Sequence, residues 1–215
     1  MTQILIHRTA LGVVIATDSR AVAFSGEGEE DTEHFTVQKI FHPLPNVILV
    51  TGGAGYGIWL CEQFSCHIAQ NGLDDASEAA DAALPFLQPL MEALKKKHQP
   101  SVENPHLDRI YILVAGIHRD EGGKPETTIR LFAAEQAPEP LHEIDVPGIV
   151  TIPRQVTLEY RLSLLEGEQT DFDAVEHLFY NFLRQAAEVD DDVGAPFHFV
   201  RIHPAGIQLR SSTEG

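Results

Sequence analysis

The chain has 215 residues, 43% hydrophobic and 22% charged, a composition and length suited to one globular domain with a sizeable core. Its formal net charge is −17, from 32 acidic against 15 basic side chains, and such a field repels phosphate backbones and argues against a nucleic-acid partner. No stretch approaches the ~18 apolar residues of a membrane span, and the first residues lack the pattern of a signal peptide, so a cytoplasmic protein is expected.

In chain order, "TQILIHR" and "GVVIATD" are β-rich runs around the short "TAL" and predict an opening hairpin. The acidic, glycine-containing "SGEGEEDTEH" (25–34) reads as a loop. "FTVQKIF" and "NVILVT" predict a second strand pair about "HPLP". "GGAGYG" follows, leading into a helix in which Ile58, Cys61, Phe64 and Ile68 recur at helical spacing. Cys61 and Cys66 fall on different faces of that helix and form no CxxC pair, as in a reduced protein. Asp75 with Glu78 makes a capping box for a second helix, which Pro85 and Pro89 are expected to kink or divide. Its last turn carries Lys95, Lys96 and Lys97, which complement the helix dipole and need no functional explanation.

Beyond it, "RIYILVAGI" and "TTIRLFAAE" predict strands around a turn-rich segment, while 137–157 carries no clear pattern. A further helix is expected from about Thr170, with Val175, Leu178, Phe179, Phe182 and Ala186 as its apolar stripe. "FHFVRI" and "GIQLR" close the chain as a last hairpin. Strands, two helices, strands, a helix and strands predict an α+β fold, one domain over 1–215. The eleven histidines show no metal-binding spacing, so no metal is expected.

Three residues carry a chemical reading. Removal of Met1 would leave Thr2 with a hydroxyl and a free α-amine, a nucleophile carrying its own base. Asp18 ends the second predicted strand and Lys39 lies on the next. A buried lysine favours a neighbouring alkoxide, and an aspartate keeps that lysine charged and oriented. Taken singly, Asp18 is a strand-end turn residue and Lys39 a snorkelling surface lysine. "GGAGYG" has a rival reading as a phosphate loop, but it lacks the lysine and Ser/Thr of a P-loop and the GxGxxG spacing.

Thr2, "TDSR", "KIF" ahead of a glycine, and "GGAGYG" leading into a helix together resemble the β-type subunits of the proteasome family, especially bacterial homologues and HslV-type peptidases. The resemblance is strongest over residues 2–70. It implies an αββα four-layer sandwich of two antiparallel sheets between helix layers, and an N-terminal-nucleophile threonine peptidase with no cofactor. In that reading Thr2 is the nucleophile, Asp18 and Lys39 support it, the Gly53 N–H is the oxyanion donor, and Arg20 is structural. Asp190, or alternatively Asp191, takes the place of a further supporting aspartate. Val37, Phe41, Thr51, Gly55 and Trp59 would line a largely apolar substrate slot, though Val37, Phe41 and Trp59 are equally ordinary core residues. The partners implied are further copies in a double ring, unfolded protein or peptide substrates, and a separate ATP-dependent unfoldase. Two family serines are missing: Val193 stands where one is expected, and Pro153 and Arg154 occupy the region of the other. That departure leaves a catalytically weak or inactive structural ring subunit as the alternative.

Overall fold

The structure, a computed structural model, describes residues 2–23, 33–97, 109–134, 139–165 and 171–212. The described fold is α+β, with two five-stranded sheets, a two-stranded ribbon and four helices. Its contacts fall into two compact units: residues 1–39, 148–201 and 208–215 make the first, and residues 40–147 and 202–207 the second. Of the loop expected over 25–34, residues 25–32 lie outside the described residues, as does the expected helix start at Thr170, while Glu33 and His34 belong to a strand. Among the described residues no helix is long and apolar enough to cross a membrane.

The first unit begins with the predicted hairpin. β1 (Ile4–Thr9) pairs antiparallel with β2 (Gly12–Thr17), bringing Ile4 opposite Thr17 and Leu5 opposite Ala16. All six residues of β2 are buried, so the run reads as continuously apolar instead of alternating. β3 (Arg20–Ala23) and β4 (Glu33–Thr36) form the antiparallel ribbon. β10 (Ile149–Ile152), β11 (Phe197–His203) and β12 (Gly206–Ser212) complete the sheet in the order β10-β1-β2-β11-β12. Two helices, α3 (Val156–Ser163) and α4 (Phe172–Val189), cover one face: Leu158 and Leu162 from α3 and Val175, Phe179 and Leu183 from α4 pack with Leu5, Val14 and Ala16. Asp171 caps α4, accepting the Ala174 N–H at 2.7 Å.

In the second unit β5 (Ile40–Leu44), β6 (Val47–Gly53), β7 (Ile110–Arg119), β8 (Pro125–Ala134) and β9 (His142–Ile144) form a wholly antiparallel sheet in chain order. α1 (Tyr56–Asn71) and α2 (Ala76–Lys97) bury Leu60, Phe64, Ile68, Ala83, Leu87 and Met91 against Leu49, Ile112, Val114 and Phe132. Asp75 caps α2 as expected, accepting the N–H groups of Ser77 (2.8 Å) and Glu78 (3.2 Å).

Three expectations change. Pro85 and Pro89 do not divide α2, which runs unbroken for 22 residues. Both prolines are exposed and four apart, on the side away from the packed alanines, so burial of the other face holds the helix together. "FTVQKIF" is not one strand: residues 37–39 lie outside any strand, between β4 and β5, and Lys39 sits in that break. The unpatterned 137–157 supplies β9, β10 and the start of α3, elements too short to show a period.

Candidate active site

Asp18 is fully buried at the end of β2, and its two carboxylate oxygens accept three donors. Oδ1 takes the Gln3 backbone N–H at 3.0 Å and the Lys39 ammonium at 2.9 Å, and Oδ2 takes the Arg20 N–H at 3.1 Å. Lys39 is buried too, and its Nζ also donates to the Arg20 carbonyl at 2.7 Å. An ammonium has three N–H donors, of which these bonds use two. Burial pushes the Lys39 pKa below its ordinary value, and the charge and hydrogen bond of Asp18 oppose that shift.

Lys39 extends from the break in the chain at 37–39, between β4 and β5. Thr2 is half-buried, and the Thr2–Gln3 peptide is tied to Asp18 through the same oxygen that holds Lys39. So Asp18 and Lys39 share one hydrogen-bonded cluster of the first unit, and the chain next to Thr2 joins it through the Gln3 N–H.

The rest of "DSR" ties the cluster to the turn after α4. Ser19 donates its N–H to the Gly194 carbonyl (3.1 Å) and its hydroxyl to the Pro196 carbonyl (2.7 Å). Arg20 donates to the Asp191 carbonyl at 2.9 Å, and its guanidinium lies so close over Gly194 that a Cβ there would meet Nε at 2.4 Å. Gly194 is therefore a close-approach glycine. Asp190 ends α4, and its carboxylate accepts the N–H of Asp192 at 2.9 Å within its own turn. Val193 is fully buried with the helix-facing core, and Val37 is half-buried.

The remaining expected residues belong to the second unit. Gly53 ends β6 with φ +86°, and a Cβ on it would meet the Arg109 carbonyl oxygen at 2.0 Å, so no other residue fits there. Phe41 lies in the core of that unit. Thr51 is 1% exposed, packed against Gly57, where a Cβ would meet its hydroxyl at 2.2 Å. Gly55 and Trp59 are exposed. Cys61 is buried, its thiol pushed up to about 12 by desolvation, whereas Cys66 is exposed.

Sequence reasoning did not identify the backbone groups that complete the cluster, the Gln3 N–H and the Arg20 carbonyl. It also passed over His198. That half-buried imidazole on β11 shares a 2.8 Å hydrogen bond with the Ser211 hydroxyl. Burial lowers its pKa, while the Asp18 charge raises it and Lys39 lowers it further. Backbone groups carry no residue-type signal, and a lone histidine has no spacing to read.

No family model matches the chain, and no curated protein does. Among solved structures it is similar to the Anbu (Gly-1) mutant from Hyphomicrobium sp. strain MC1, with a TM-score of 0.65 and 14% identity. The match covers 98% of this chain and 88% of that one. At that identity the likeness shows the fold alone. These findings overturn the placement among bacterial proteasome homologues and HslV-type peptidases. The motifs behind it amount to a handful of positions, too few to carry membership when no family model matches.

Proposed function

We propose that the chain is an N-terminal-nucleophile hydrolase of amide bonds that uses Thr2 after loss of Met1. The observation that carries this reading is the single Asp18 oxygen that accepts both the Lys39 ammonium (2.9 Å) and the N–H following Thr2 (3.0 Å). The fold likeness to Anbu is in keeping with it. Freed from Met1, the Thr2 α-amine has a reference pKa of about 7.7–8.0 and serves as base near neutral pH. It takes the hydroxyl proton as Oγ attacks the amide carbonyl, and the third N–H of Lys39 steadies the developing charge on Oγ. The proton passes to the departing amine as the C–N bond breaks, and water then hydrolyses the ester left on Thr2. Peptides are the proposed substrates, and the chain works as a homo-oligomer.

A second reading, a catalytically weak or inactive subunit, is favoured by one observation. Val193 offers only a buried apolar side chain where a hydroxyl was expected. N-terminal sequencing with labelling by an electrophile selective for N-terminal threonine separates the two. The hydrolase reading requires a chain starting at Thr2 and an adduct there that is lost in Thr2→Ala. A retained Met1, or an adduct that persists in Thr2→Ala, overturns it.

A further inference from the structure

Away from the candidate active site, the second unit holds a cavity of about 370 Å³ among Asn46, Asp74, Ile117, His118, Arg119 and Pro204. All of its lining residues belong to that unit. Asn46 directly precedes β6 and Gly53 ends it, so the cavity lies at the end of the sheet opposite Gly53, roughly 20 Å away at ~3.4 Å per residue. Its walls are held in place by hydrogen bonds. Asp74 accepts the Asn46 backbone N–H at 3.2 Å and the Asn46 side-chain amide at 3.0 Å. The Asn46 carbonyl accepts the Ile117 N–H at 2.9 Å and lies so close to Gly116 that a Cβ there would meet it at 1.9 Å. Asp75 accepts the Arg119 N–H at 3.0 Å, and His118 shares a 3.0 Å hydrogen bond with the Thr128 hydroxyl.

These bonds leave capacity of both kinds. Among the described residues the Asn46 amide oxygen accepts nothing, and each Asp74 oxygen accepts one N–H where it can take two. The Arg119 guanidinium has five N–H donors and uses one, on the Gly123 carbonyl at 3.0 Å. Spare acceptors suit an ammonium, and spare guanidinium donors suit a carboxylate. An anion without a positive group would sit beside the carboxylates of Asp74 and Asp75, and a cation without a negative one beside Arg119. Ile117, Pro125, Pro204 and Ala205 add apolar wall, and the volume falls at the small end of ligand sites, which span about 300–1,000 Å³. We propose that this cavity binds a free α-amino acid with an apolar side chain. Asp74 and Asn46 hold its ammonium, Arg119 holds its carboxylate, and the side chain rests on Pro125 and Pro204. The site goes beyond the hydrolase reading and does not rest on Thr2.

Ligand-observed NMR titration with L-leucine, N-acetyl-L-leucine and L-leucinamide tests it. L-leucine is expected to bind with a Kd in the millimolar range or tighter, and each analogue, lacking one charge, about tenfold more weakly. Arg119→Gln should lose about tenfold in affinity for L-leucine while leaving that for L-leucinamide unchanged, because only the carboxylate contact is gone. Ala205→Phe fills the cavity without altering its polar groups and should abolish binding, with circular dichroism confirming that both variants are folded. Thr2→Ala should bind L-leucine as the wild type does. The proposal is overturned if L-leucine fails to bind, if the three compounds bind equally, if either cavity variant keeps wild-type affinity, or if Thr2→Ala loses it. Thr2 labelling is scored on its own, so failure here leaves the hydrolase reading standing, and failure of that reading leaves this cavity standing.

Discussion

Asp18 concentrates the strongest demands of the sequence on one side chain. It is fully buried, which is tolerable only because a cation and two backbone N–H groups meet its oxygens. Lys39→Met removes the cation and leaves an uncompensated carboxylate in the core. The expected loss is about 3–5 kcal/mol, read as a lower midpoint in urea denaturation. Asp18→Asn/Lys39→Met removes both charges and keeps an acceptor for one of the two backbone N–H groups, and should recover part of that loss. Equal destabilisation by the single and double variants would show that packing, not charge, is at stake. The pairing itself was legible in the order and spacing of "TDSR" and "KIF". The position of Lys39 outside a strand was not, because the β-formers Phe35, Val37, Ile40 and Phe41 on either side of it read as one strand.

Elements with strong local signals came through, and elements defined by their partners did not. The "TAL" hairpin, the "FHFVRI" hairpin and the Asp75 cap all rest on short-range chemistry. α3 eluded the sequence because apolar residues occupy both its sides, which blurs the helical period that separates core from surface. The prolines of α2 show tertiary packing overriding propensity. Asp75 does more than cap: its second oxygen accepts the Arg119 N–H at 3.0 Å, linking the start of α2 to the end of β7. Asp75→Ala therefore strands two donors of the first turn and one of the sheet. The expected cost is about 1–2 kcal/mol in thermal or chemical unfolding, and Asp75→Asn, whose single amide oxygen keeps the two helix N–H groups but not the Arg119 N–H, should recover part of it. A cost as large in Asp75→Asn would place the weight on the negative charge at the helix start or on the Arg119 contact, not on the cap bonds.

Across the whole chain the balance of charge is lopsided, and several of the basic groups are committed to local pairs. Arg130 holds Glu143 through two hydrogen bonds at 2.8 and 2.7 Å, Arg201 engages Glu176 and Asp173, and Lys39 holds Asp18. Acidic groups outnumber basic ones 32 to 15, so the unpaired remainder is overwhelmingly negative and repels itself when the chain is compact. Salt acts unequally on these two populations. It screens charges exposed to water, with a Debye length of about 10 Å at 0.1 M, while the buried Lys39–Asp18 pair is largely shielded from it. Repulsion among exposed carboxylates should weaken more than the attractions holding the fold. The thermal midpoint is thus expected to rise between about 0.01 and 0.15 M of a salt that does not bind the protein, measured by scanning calorimetry at constant pH. A midpoint that falls over that range would mean that solvent-facing pairs such as those of Arg130 contribute more to stability than the net charge removes.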